Sequence, residues 1–160
     1  MIQQKPKVLL LSIKPQYVQK ILDGQKTIEL RKTRPKIQKG DFILVYESSP
    51  SKSLIGWFEV QGIICESPKK LWDKVKNKAG VTKEEFDAYY QKSTLGVGIC
   101  INSIHCIKMS LEDVRKQWNQ FKPPQNFHYL KEEEILLAEQ VTDYSLTFKT
   151  QDSQIPLSTY

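Results

Sequence analysis

Hydrophobic residues fall along this chain in short runs whose period changes several times. Val8–Ile13 is an aliphatic run of strand length, and Pro15 just after it suits the first position of a helix, where a missing N–H breaks no hydrogen bond. Tyr17, Val18, Ile21 and Leu22 then recur at helical spacing, and Gly24 can end the helix in the left-handed conformation. Thr27–Arg31 alternates polar and apolar, which predicts a strand with Ile28 and Leu30 inward and Thr27, Glu29 and Arg31 on the opposite face. Gly40-Asp41 predicts a turn before a strand over Phe42–Glu47. A loop over 48–51 leads into a long strand pattern, Leu54–Cys65, in which Gly56 and Gly62 mark bulges.

Helical signals dominate the second half. Ser67-Pro68 reads as an N-cap and first helical residue for a helix over Lys69–Asn77. Thr82 with Glu85 three residues on forms a capping box, predicting a helix that runs towards Gln91. Gly96–Ile107 returns to strand character. Ser110 with Asp113 opens a further helix carrying Leu111, Val114 and Trp118, Pro123–Phe127 is a stiff loop, and Lys131–Gln140 predicts a last helix. Residues 151–160 form a polar tail, leaving 1–150 as a single expected domain. Strands dominate, helices are inserted, and the order is not a regular βαβ alternation. The expected fold class is therefore α+β with a curved or barrel-like mixed sheet, not a doubly wound sheet.

Composition narrows the class without naming a function. The 160 residues are 39% hydrophobic and 26% charged, which matches neither a disordered nor a membrane-embedded chain. The longest purely aliphatic run, Val8–Leu11, is far too short to span a bilayer. Lys5 and Lys7 ahead of it imitate the start of a signal peptide, but Ser12-Ile13-Lys14 interrupts the run and no small-residue cleavage site follows. A soluble, unprocessed monomer with no membrane partner is expected. Cys65, Cys100 and Cys106 are odd in number and lack paired spacing, which points to a reducing compartment such as the cytoplasm. Cys100 and Cys106 lie in apolar stretches and are expected to be small buried hydrophobes. His105 adjoins Cys106, His128 stands alone, and there is neither CxxC nor HxxxH. No metal or cofactor is therefore expected.

Charge is where the chain becomes specific. The formal net charge is +6, and all of that excess lies in residues 1–60, which hold eleven Lys/Arg against five Asp/Glu. Residues 61–160 hold thirteen of each. Lys26, Arg31, Lys32, Arg34, Lys36 and Lys39 share their segment with one acid, Glu29. Two readings are open: a solvated face, the default for lysine, or a stripe that binds phosphate.

Three segments bear on that choice: Ser12-Ile13-Lys14-Pro15, the run Gly24–Arg31, and the strand after Gly40-Asp41 that ends in Tyr46-Glu47-Ser48-Ser49-Pro50. The middle one has the spacing Gly-x-Lys-x-x-Glu-x-Arg, filled by Gly24, Lys26, Glu29 and Arg31. Together the three resemble the ASCH domain, a branch of the PUA-like superfamily related to EVE-type domains. The resemblance is strongest over residues 8–65 and continues, more loosely, to the Pro-Pro-Gln-x-Phe loop. It implies a PUA-like mixed-sheet β-barrel with inserted helices and an RNA- or nucleotide-related role. The chemistry is coherent without the family name. A strand presenting Glu29 and Arg31 on one face, with Lys26 at its entry, sets a carboxylate between two cations. Lys and Arg can grip phosphate, and Glu29 can accept a hydrogen bond from a base or ribose. The plainer alternative is a scaffold salt bridge between Glu29 and Arg31.

The candidate ligand-binding residues are Lys14, Lys26, Thr27, Glu29, Arg31, Tyr46, Ser48 and Trp57. Tyr46 and Trp57 enter as stacking faces for an unstacked base because they lie in the motif-bearing segments. Trp72, Trp118 and Phe127 read as packing residues. Members of the resembled family divide between binding modules and small enzymes. A bacterial acetylcytidine amidohydrolase of this fold uses a lysine, a threonine two residues before an arginine, and a glutamate from a following helix. Lys26 and Arg31 match, Glu29 stands where the threonine would be, and Glu84 or Glu85 lies in the region of the glutamate. Binding of RNA or a nucleotide-like ligand is thus the first expectation. A nucleoside amidohydrolase or ribonuclease using Lys26 and Glu29 is the second, and a protein-interaction or regulatory module the third.

Overall fold

The computed structural model describes residues 5–101 and 104–146. The expected polar tail at 151–160 lies outside them. Twelve elements are placed: β1 Val8–Ile13, α1 Pro15–Leu22, β2 Ile28–Arg31, β3 Phe42–Glu47, β4 Ser53–Glu66, α2 Pro68–Val75, α3 Lys83–Tyr89, β5 Gly96–Ile101, β6 His105–Ser110, α4 Leu111–Gln117, β7 Phe127–Tyr129 and α5 Glu132–Thr142.

The strands form one mixed sheet in the order β2-β5-β4-β3-β1-β7, with β6 added on β4. Among the described strands only β1 and β3 run parallel, from Val8 beside Phe42 to Ile13 beside Glu47. The class is α+β as expected, but the path of described strands is open and does not close into a barrel. β4 is long enough to serve two neighbourhoods: its first half pairs with β3 and β6, its second with β5. That division corrects the single strand expected over Gly96–Ile107, because β5 and β6 pair with different halves of β4. The register slips beside both glycines, between Val45 and Tyr46 opposite Gly56 and between Val60 and Gly62.

The continuous aliphatic runs reflect a sheet covered on both faces. Val8, Leu10, Leu44 and Trp57 pack on one side with Val114, Trp118 and Ala138 of the later helices. Leu9, Leu11, Ile43 and Phe58 pack on the other with Val18 and Ile21 of α1. A third cluster joins Ile28 and Leu30 of β2 to Leu71, Val75, Phe86 and Tyr90. The capping box is formed as read, Thr82 Oγ1 accepting from Glu85 N at 3.1 Å and Glu85 Oε1 accepting from Thr82 N at 3.0 Å. Of the cysteines expected inside, Cys106 is exposed and Cys100 only half-buried. They sit on strands whose apolar composition does not tell which face is covered.

Candidate functional site

The C-terminal ends of the parallel pair β1 and β3 open into a cavity of about 620 Å³. β1 contributes Ser12 and Ile13, with Lys14 following. β3 contributes Tyr46, with Ser48 following, and β2 lays Glu29, Leu30 and Arg31 along the floor. The loop at 123–126 forms a wall. It is pinned by the Ser12 hydroxyl, which donates to the Pro124 carbonyl at 2.6 Å, and by Ser12 N, which donates to the Asn126 carbonyl at 3.1 Å. Six predicted residues therefore border one space: Lys14, Lys26, Glu29, Arg31, Tyr46 and Ser48.

Glu29 organises the floor. Its Oε2 accepts from Arg31 Nη2 at 2.8 Å, and its Oε1 lies 3.5 Å from Lys26 Nζ. The same Arg31 nitrogen donates to the Ser12 carbonyl at 3.0 Å, tying β2 to β1. Lys26 Nζ also donates to the Ala79 carbonyl at 2.7 Å and lies 5.3 Å from the centre of the Tyr17 ring. Lys26 is 2% exposed and Glu29 6%, so the polar face of β2 is not the open face the alternation implied. Residues following β1 and preceding α3 cover it. Burial pushes the Lys26 ammonium below its usual 10.5; Glu29 opposes that shift, and Arg31 and Lys20 add to it.

Two predicted residues stand elsewhere. Thr27 is exposed and does not border the cavity. Trp57 is 1% exposed in the core, its indole N–H donating to Thr142 Oγ1 at 2.9 Å, so it presents no free ring face to a base. Trp57 and its neighbour Phe58 are both buried because both faces of β4 are covered. The aromatic lining comes from Tyr17 and Tyr89, with Phe86 and the predicted Tyr46 behind them, the last only 3% exposed. Tyr89, at the end of α3, is 39% exposed, and Lys32 Nζ lies 4.6 Å from the centre of its ring. Burial raises the pKa of all three phenols, with Glu85 adding to the shift at Tyr17.

Sequence reading also missed Lys52, Arg115 and Asn126, which border the cavity from loops and α4. Glu85, weighed only as a possible helical glutamate, reaches the rim, where its Oε2 accepts from the Tyr17 hydroxyl at 3.2 Å. The adjacent tyrosines 89 and 90 were a signal in the sequence, but helical spacing alone does not say which of them turns to a cleft. Among the described residues, no group of three or more His, Cys, Asp or Glu is arranged to hold a metal ion, and no helix is long and apolar enough to cross a membrane.

A PUA-like α+β domain with a charged cavity at the ends of its parallel strands is the class that fold and site define. The chain belongs to the ASCH domain family, whose sequence model matches residues 11–99. It is 24% identical over 129 residues to an ASCH domain-containing ribonuclease of Zymomonas mobilis, covering 80% of this chain and 87% of that protein. It is 26% identical over 130 residues to the large ribosomal subunit protein uL22 of Ureaplasma parvum, covering 81% of this chain but only 41% of that longer protein. Among solved structures, the ASCH protein of Zymomonas mobilis superimposes with a TM-score of 0.78 at 23% identity, over 86% of this chain and 97% of that one. A protein from Leishmania major superimposes at 0.54 with 12% identity, over 87% and 96% of the two chains.

Proposed function

We propose that the cavity is a basic cleft that binds RNA or a nucleotide-like ligand. The observation that carries this reading is the lining itself: Lys14, Lys26, Arg31, Lys52 and Arg115 stand against two carboxylates, Glu29 and Glu85, around three tyrosine rings. Clustered cations concentrate phosphate, and the exposed face of Tyr89 offers a platform for a base. Glu29 has both oxygens engaged by Lys26 and Arg31, so its role is to hold those cations in place and not to read a base edge. Membership of the ASCH family, with a relative named as a ribonuclease, supports RNA over other anions.

The test uses the depressed pKa of Lys26. A phosphate ligand binds the charged ammonium, so affinity is full below the Lys26 pKa and declines as pH rises through it, earlier than an ordinary lysine allows. Fluorescence anisotropy with a labelled oligouridine, read against pH, is expected to give that early decline. Lys26→Arg should remove it, because guanidinium keeps its charge. A wild-type profile that stays flat until the usual lysine range, or a Lys26→Met variant with unchanged affinity, refutes the reading.

A specific observation also favours a second reading, cleavage in the same cavity. A buried lysine of lowered pKa has the chemistry of a general base or nucleophile, and Glu29 and Glu85 border the same space. Incubation with RNA and with acetylcytidine decides it: product that forms with the wild type and vanishes in Lys26→Ala makes the protein a hydrolase.

A further inference from the structure

Arg34, Lys36 and Lys39, half of the basic segment singled out in the sequence, do not border the cavity. They line a second hollow of about 670 Å³ at the opposite end of β1 and β3, together with Lys5, Lys7 and two acids, Asp41 and Glu59. We propose that this groove is a second binding site, for the phosphodiester backbone of single-stranded RNA whose other part enters the cavity. The choice of RNA as the polyanion rests on the function proposed above; the existence of an anion groove does not.

A surface cluster of lysines is ordinarily a solvated face, and three features set this one apart. First, the loop that carries the cations is fixed from within. The buried Asp41 carboxylate accepts from Lys7 N at 2.9 Å and from Gln38 N at 2.8 Å. Lys7 Nζ donates to the Lys36 carbonyl at 3.4 Å, and Lys36 N donates to the Tyr129 hydroxyl oxygen at 2.7 Å. Pro35 and Ile37 are buried between the exposed basic side chains, so Arg34, Lys36 and Lys39 project from an anchored backbone. Less ordering entropy is then lost when they engage a ligand.

Second, the cations of the groove outnumber its acids, Asp41 and Glu59, and of the cations only Lys5 is ion-paired among the described residues, to Glu132 at 3.7 Å. Asp41 spends its oxygens on backbone N–H groups, and among the described residues no ion pair engages Arg34, Lys36 or Lys39. Third, one segment of chain links the groove to the cavity. Arg31 lies on the cavity floor, Lys32 stands over Tyr89 at the rim, and Arg34–Lys39 reach the groove. The edge strand β7 repeats the link, with Asn126 at the cavity and Tyr129 touching the loop of the groove. Six residues of β1 separate the two ends, roughly 20 Å at the usual rise of a strand. A flexible polyanion can follow that path, whereas a single nucleotide cannot.

The experiment compares the wild type with a triple variant, Arg34→Gln, Lys36→Gln and Lys39→Gln, and with Lys26→Met, using fluorescence anisotropy of an oligouridine dodecamer and competition by uridine monophosphate. The three groove side chains are exposed, and thermal melts are expected to coincide. Lys39→Gln alone provides a milder check. In the triple variant, dodecamer affinity at low salt should fall tenfold or more. The log–log dependence on salt should flatten by about 2, as expected for three lost phosphate contacts on a single strand. Uridine monophosphate binding should be unchanged. Unchanged dodecamer affinity and salt slope overturn the groove. If only Lys26→Met loses the dodecamer, the groove fails and the cavity stands; if only the triple variant loses it, the groove stands and the cavity reading fails. A wild type that ignores the dodecamer overturns the assignment to RNA, as does a wild type that binds phosphatidylserine vesicles or polyglutamate more tightly.

Discussion

Glu29 neutralises two cations with one side chain, and that arrangement decides what its removal does. Lys26 and Arg31 each engage one of its two oxygens in a cavity floor that excludes most water. Deleting the carboxylate leaves both charges buried beside each other, and an uncompensated buried charge is expensive, at about 3–5 kcal/mol for a broken buried pair. Glu29→Ala is therefore expected to lose stability on that order, read as a shift of the urea midpoint at constant m-value. A midpoint that does not move shows the cations content without it and returns Glu29 to the list of groups free to face a ligand. The motif's residue types and spacing announced a carboxylate between two cations. They did not announce that burial makes it a structural keystone, because the cover comes from residues far away in the sequence, such as Ala79 and Ser12.

Gly56 and Gly62 separate what an element's sequence tells from what only its neighbours tell. Both read as bulge positions in the long strand β4, and the register slips beside each. Their surroundings differ. Gly56 has φ +147°, and an added Cβ there would sit on the carbonyl of His105, on the paired strand β6, whereas a Cβ at Gly62 meets nothing within 4 Å. Gly56→Ala is expected to cost about 2–3 kcal/mol, since both the backbone conformation and the β4–β6 approach must give way. Gly62→Ala should fall within about 0.5 kcal/mol of the wild type. Equal midpoints for the two variants in urea refute this. The same limit explains the other differences at this scale. Four of the described strands and all five described helices were legible as separate elements because caps, periods and glycines are local signals. The division after Ile101 was not, because the short polar step Asn102-Ser103 in an isoleucine-rich run is a weak turn signal and the change of partner lies in pairing. Three-residue β7 has too few positions for a period to register. Trp57 offers no stacking face because its place in a motif-bearing segment says nothing of which face is wet, and here both faces of the sheet are covered.

At the scale of the molecule, the charge excess of the first sixty residues is divided between two hollows at opposite ends of one parallel strand pair. Lys14, Lys26, Arg31 and Lys52 serve the first, while Lys5, Lys7, Arg34, Lys36 and Lys39 serve the second. The sequence located the excess but could not divide it, since the turn between Arg31 and Phe42 carries the chain from one end of the sheet to the other. A ligand that reaches only one hollow gains from part of the field; one that reaches both gains the second contact as an intramolecular event, at a high effective concentration. Affinity is therefore expected to depend on RNA length in a stepped manner. Oligouridines too short to cover the roughly 20 Å between the two ends should bind weakly and alike. Affinity should rise steeply once both ends are bridged, then level off as further nucleotides meet no new cations. Isothermal titration across a length series measures the step. The triple variant at Arg34, Lys36 and Lys39 should flatten it to the weak level at every length, and a smooth rise with length in both proteins means that the two hollows do not act on one strand.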